Sequence, residues 1–416
     1  MKNEPSKKQT ALVAVDAPQP KEENRPSYWS RVASRYLLTM RLCLVVLVLF
    51  VVLFMVFFSR AFTYNSLFGF FKDIQSIRAF VPSDFEAVTA SYREGEELSL
   101  SFRGGIAFVN CAGVEIYSPD GKLLLDAEHK LEAPRAVASR KYLLVFDHGK
   151  NDFWVMNAYD ELYHGQTDRP IYGAEMSDSG QFALITEPTE PTEQRAEPAL
   201  SRVELYDSNF HPIYAFNRAF STVDVAISEN GKQIAFFGTN VREGEPLAQL
   251  ALYDVGETEP SSVLSLSGEM PLSVGFVGNK RLALLTDRSL LVTDGECEIE
   301  EQFELGEAKP VDFCVTKSGV SLLLQATSMD SAGRIVALDE KGKLLYDTTV
   351  SGRVDAISHI DDTLFALLDG ELICVDLKKG IASNKAITGG AKGLFAVSKN
   401  GVRVIYPAMA EYIEFE

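Results

Sequence analysis

Five histidines, His129, His148, His164, His211 and His359, are the side chains of this sequence best suited to acid–base or metal chemistry, and their spacing argues against both. No two have HExxH or close-paired spacing, so a zinc site would need several of them to converge from distant segments. His148 and His211 fall in expected loops. The turn Ser118–Gly121 resembles the start of a calcium loop, but calcium takes six or more oxygen ligands, and the alternating acidic spacing that supplies them is missing. Plain hairpin turns explain it better. There is no GxSxG, no SxxK and no Gly-rich phosphate loop after a strand. Acidic residues are plentiful enough to form a carboxylate pair in a central cavity, yet nothing in the spacing selects one. No catalytic residue, cofactor or metal is expected, and the protein is not expected to be an enzyme.

Charge excludes another class. The 416 residues carry a net charge of −18, which opposes nucleic-acid binding, since that relies on clustered Lys and Arg. Residues 1–41 hold eight Lys/Arg against four Asp/Glu, whereas residues 82–416 hold 29 against 53, a balance of −24. Cys43, Cys111, Cys297, Cys314 and Cys374 are scattered without CxxC spacing and are expected as free thiols in apolar surroundings.

The elements that must position any site follow from periodicity. Residues 1–36 form a cytoplasmic tail: 1–27 are Lys/Glu/Pro/Gln-rich and expected to be disordered, and Tyr28 and Trp29 then precede Arg31, Arg35 and Arg41 as an interfacial belt. Leu42–Phe58 contains no charged residue, and with Leu37–Met40 about 22 residues give roughly 33 Å of helix, enough for the hydrocarbon core. A cleaved signal peptide would have a shorter apolar run ending in small residues, whereas Phe57-Phe58-Ser59-Arg60 follows here. Residues 37–60 are therefore expected to be an uncleaved transmembrane anchor. The positive flank puts the N-terminus in the cytoplasm and the rest outside the cell membrane. Residues 61–82 are either a juxtamembrane linker or an amphipathic helix.

From residue 83 onward one unit repeats. Thr222–Asp254 shows it best, with Val223, Val225 and Ile227 alternating into Ser228-Glu229-Asn230-Gly231 and then Ile234, Ala235 and Phe236. Similar breaks fall at Arg103-Gly104-Gly105, Ser139-Arg140-Lys141, Asp178-Ser179-Gly180, Gly278-Asn279-Lys280, Lys317-Ser318-Gly319, Asp361-Asp362 and Lys399-Asn400-Gly401. They recur about 36–51 residues apart, which is β-propeller spacing with four strands per blade. The expected fold of 83–416 is thus all-β, an eight-bladed propeller, with seven blades as the alternative. The last unit runs out after three strands, and Phe85–Ser91 is placed to close it.

Insertions mark the candidate functional surface. Glu187–Leu200, with Glu187, Glu190, Glu193 and Glu197, separates the second and third strands of the third unit. Asn240–Gln249, with Arg242, Glu243 and Glu245, is expected as a loop at the same place in the fourth, and Ala326–Gly333 in the sixth. Equivalent connections emerge on one face, where repeat proteins commonly bind partners.

The anchor, RGGIAFVN, VEIYSPDGKLL and DVAISENGKQIAFF with its later LALYD together resemble an uncharacterised family of single-pass membrane proteins from Gram-positive anaerobes. The resemblance spans residues 35–416 and implies a fold and a topology, but no site residues. WD40 endings are absent, and Trp154 is the one tryptophan after the anchor, too few for the repeated tryptophan motif of quinone-cofactor dehydrogenases. The expected function is a binding or scaffold module for an envelope protein. The alternative is an envelope enzyme or small-ligand sensor using the central channel.

Overall fold

The computed structural model describes residues 28–57, 88–89, 98–188, 199–327, 332–407 and 409–415. The tail at 1–27, the linker at 61–82, Glu190, Glu193, Glu197 and the middle of 326–333 lie outside the described residues. The chain divides into two compact units, Met1–Phe62 and Thr63–Glu416.

The first unit is a helix, Tyr28–Phe57. Its window Tyr36–Leu53 has a mean hydropathy of 2.7 and is long and apolar enough to cross a membrane.

The second unit is an eight-bladed β-propeller. Eight four-stranded antiparallel sheets follow one another along the chain. The blades cover 98–128, 134–166, 171–218, 221–267, 271–304, 309–351, 354–386 and 393–414. In each blade the strands are lettered a to d from the channel outward. In the first seven blades they occur in chain order. In the eighth, Val88–Thr89 supplies strand d by pairing with Met409–Glu414, Val88 opposite Ala410. The expected N-terminal closing strand is therefore present, and it covers the sheet edge that three strands alone would leave unpaired.

Alternating residues in each sheet face the two neighbouring blades, so each interface acquires its own apolar cluster. Eight clusters are found among the described residues, one per interface. Leu205 and Phe216 meet Val225 and Phe236 between the third and fourth blades, and Val320 and Leu322 meet Leu285 and Val292 between the fifth and sixth. The eighth cluster joins Ile106, Phe108 and Tyr117 to Ile405 and Ala410, which closes the ring. Arg403 is buried at this closure and donates from Nη2 to the carbonyl of Pro119 at 2.9 Å.

One element differs from its expected form. Residues 240–249 are not a loop. Gln233–Arg242 and Glu245–Asp254 pair through Arg242↔Glu245, making a hairpin that extends beyond strand a, whose pairing stops at Thr239. Glu243 and Gly244 have φ of 56° and 88°, the two left-handed residues of a tight hairpin turn. Polar residues and Pro246 broke the alternation in sequence; Pro246 is tolerated because strand d joins strand c only from Leu247 onward.

Candidate functional site

The channel is lined by the a strands, and five of them carry a bulge near their start. Register shifts fall between Ile171/Gly173, Thr222/Asp224, Pro271/Ser273, Pro310/Asp312 and Val354/Ala356. The residue following each bulge is therefore equivalent from blade to blade: Gly173, Asp224, Ser273, Asp312 and Ala356. Two of these positions hold carboxylates that reach the next blade. Asp224 Oδ2 accepts from Val274 N at 2.9 Å and Ser273 Oγ at 2.7 Å, and Asp312 Oδ2 accepts from Ile357 N at 2.8 Å. Burial pushes both carboxyl groups above the usual range, although the hydrogen bonds they accept pull the other way.

Beyond this tier the channel widens into a chamber of about 670 Å³. Its wall includes Glu175 and Asp224, the hydroxyls of Ser177, Ser273 and Thr316, His359, and apolar Met176, Val274, Phe276 and Phe313. Burial, reinforced by the negative charge of Asp224, pushes Glu175 up to about 8, so it is mostly protonated at neutral pH. Asp224 is two positions before the residue equivalent to Glu175 in the next blade, so the two carboxyl groups share one blade interface. His359 Nε2 contacts the Asp361 carbonyl at 2.8 Å and Nδ1 contacts Ser321 Oγ at 3.0 Å. A carbonyl can only accept, so the proton sits on Nε2, and burial lowers the pKa of this neutral ring.

A charged clasp spans the chamber mouth. Turns between strands a and b place one side chain apiece at equivalent points: Arg140 in the second blade, Asp178 in the third, Glu229 in the fourth and Lys317 in the sixth. Glu229 Oε1 is 2.6 Å from both Arg140 Nη2 and Lys317 Nζ, and Arg140 Nε is 2.9 Å from Asp178 Oδ2. The second and sixth blades are opposite in an eight-membered ring, so Glu229 links opposite sides of the mouth. These residues read in sequence only as turn formers. The recurring Ser/Thr-x-Ser/Asn-Gly pattern in 177–180, 228–231 and 316–319 was the signal that one position, x, would converge.

The opposite face carries the b–c connections, and with them the sequence-derived candidates. Glu187 is exposed there, and its backbone N donates to the Pro170 carbonyl at 3.1 Å. Arg242, Glu243 and Glu245 are exposed at the hairpin tip, beside Val241, which is 70% exposed. The sequence reading missed what lies between them. Tyr172, Val223, Leu272 and Val311 occupy the bulges of four consecutive blades and are 41–48% exposed. They form an apolar arc around the channel at this face, and Met270, in the connection leading into the fifth blade, is also exposed. In the seventh blade the equivalent residue is Asp355, paired with Arg353 at 2.8 Å.

The remaining chemistry is dispersed. Trp154 stacks on His164 at a ring distance of 4.9 Å, and the His129 ring lies tilted against it at 4.7 Å. The five cysteines are unpaired. Among the described residues, no group of three or more His, Cys, Asp or Glu is placed to hold a metal ion.

Solved structures resemble this chain at low identity. The structure titled apo AztD from Citrobacter koseri is 13% identical, with a TM-score of 0.46, covering 73% of this chain and 86% of that one. A chain of a mitotic checkpoint complex is 9% identical, with a TM-score of 0.50, covering 80% of this chain and 91% of its own. Comparison with curated proteins finds no match. A sequence model does match residues 84–415, the whole propeller from its closing strand to its last blade, and the chain belongs to that family of unknown function, DUF5711.

Proposed function

We propose that this chain is a single-pass membrane protein whose propeller is a protein-docking module on the outer side of the cell membrane. The observation that carries the reading is the apolar arc of Tyr172, Val223, Leu272 and Val311. Single exposed apolar residues are ordinary, but four at equivalent positions of adjacent blades form a patch of the kind found at protein interfaces. The Arg242–Glu245 hairpin and the Glu187 connection flank it on the same face. The acidic balance of residues 82–416 favours a partner segment that presents apolar side chains with basic flanks. The apolar helix supplies the tether, and the basic excess of residues 1–41 orients the N-terminus to the cytoplasm. This reading includes no catalysis, cofactor or nucleic acid.

Substituting Val223→Asp together with Leu272→Asp tests it. Both side chains are already partly solvated, so the fold should hold while the co-purifying partner is lost. A partner set identical to that of the unaltered chain would sink the reading.

A further inference from the structure

The chamber on the other side of the channel has an unmet electrostatic requirement. Its wall contains Glu175 and Asp224, and its basic residues, Arg140 and Lys317, lie at the mouth and are held by Glu229 and Asp178. Asp224 has its donors from the fifth blade, but no hydrogen bond or ion pair among the described residues reaches the Glu175 carboxyl. It is partly buried and lines a cavity of about 670 Å³. Phe276 and Phe313, from the fifth and sixth blades, add apolar surface to the same wall. A bare metal ion would leave most of that space and those apolar walls unused, and too few ligands converge to hold one. An anion would meet the carboxyl groups with no free cation to balance them.

We propose that the chamber binds a small organic ammonium ion, the charged nitrogen on Glu175 and the hydrocarbon part against Phe276 and Phe313. The site is separate from the docking arc and stands or falls independently of it. Glu175 must give up its proton to act as counter-charge, so the ligand releases a proton to solvent at neutral pH and not above the carboxyl's own titration. The Arg140–Glu229–Lys317 clasp lines the same cavity at its mouth.

The test is calorimetric titration of the full chain in detergent micelles with 1,5-diaminopentane, using 1-pentanol as the uncharged control. The expected result is saturable 1:1 binding of the diamine and none of the alcohol. One proton should be released at about pH 6 and none at about pH 9. Glu175→Gln, which mimics the protonated carboxyl and preserves the fold, should weaken binding by at least about tenfold. Glu301→Gln, on an exposed outer strand, should leave it unchanged. Absence of saturable heat, equal binding by the alcohol, undiminished binding by Glu175→Gln, or equal loss in Glu301→Gln would each overturn the proposal.

Discussion

Glu229 of the fourth blade is 2.6 Å from Lys317 of the sixth, reaching past the fifth blade altogether. With Arg140 on its other side, this carboxylate joins opposite edges of the ring above a chamber. Blade interfaces are held by apolar packing, whereas this contact belongs to the channel mouth and can open without disturbing any core cluster.

Glu229→Gln should therefore separate stability from access. The partners are largely exposed, so the loss of global stability is expected to stay near or below about 1 kcal/mol. Hydrogen exchange should nevertheless accelerate at the turns carrying Arg140 and Lys317, and the same acceleration should appear in the unaltered chain at high salt. Unchanged exchange at both turns would mean that the clasp does not hold the mouth.

The raised Glu175 carboxyl makes stability pH-dependent in a definite direction. Its folded pKa of about 8 lies above the unfolded value of 4.5, so its contribution is complete below 4.5 and is lost as pH rises through 8. Between those values the folded chain holds a proton that the unfolded chain has released. Glu175→Gln should flatten this part of the profile, raising stability at alkaline pH relative to the unaltered chain by about 1–3 kcal/mol. Chemical denaturation at several pH values measures it; parallel profiles for the two proteins would contradict the assignment.

Ring closure and the packing between blades should differ in how much they cost to disturb. Arg403→Met removes the bond to Pro119 and leaves that carbonyl without its partner, with an expected loss of about 1–3 kcal/mol. Phe236→Ala, inside the cluster between the third and fourth blades, should cost about 3–5 kcal/mol. Denaturant midpoints would rank the two, and a neutral Phe236→Ala would refute the packing account.

The propeller was legible in sequence because each blade repeats a local pattern. A continuous apolar run marks strand b in nearly every unit, and Ser228–Gly231 or Ser177–Gly180 marks the turn before it. Even the closing strand followed from counting three strands in the last unit. The channel was not legible, for two physical reasons. First, Arg140, Glu229 and Lys317 are far apart in sequence and meet only because ring closure gathers equivalent turns at one mouth. Second, each bulge inserts a residue and so shifts the alternation: Val223 reads as a buried position in line with Val225 and Ile227, yet it is exposed. The hairpin at 240–249 was missed because its pairing extends past the region where a core face imposes alternation.

The hairpin also gives a separable prediction. Glu243 is a non-glycine residue in left-handed geometry, and asparagine tolerates that geometry better. Glu243→Asn should stabilise the hairpin by a few tenths of a kcal/mol, about 0.3–0.5. It should also leave the salt dependence of partner binding weaker by roughly one charge. Thermal denaturation and binding at two ionic strengths check both parts.

The central claim is that a protein partner sits on the apolar arc, and site-specific photo-crosslinking in cells tests it most directly. A photoreactive residue would be placed in turn at Val223, at Leu272 and at Val263, an exposed apolar position on the outer strand of the fourth blade. The account predicts one adduct of the same mass from Val223 and Leu272, abolished by Val311→Asp, and none from Val263. Adducts of equal yield at all three positions, or none at Val223 and Leu272, would contradict it.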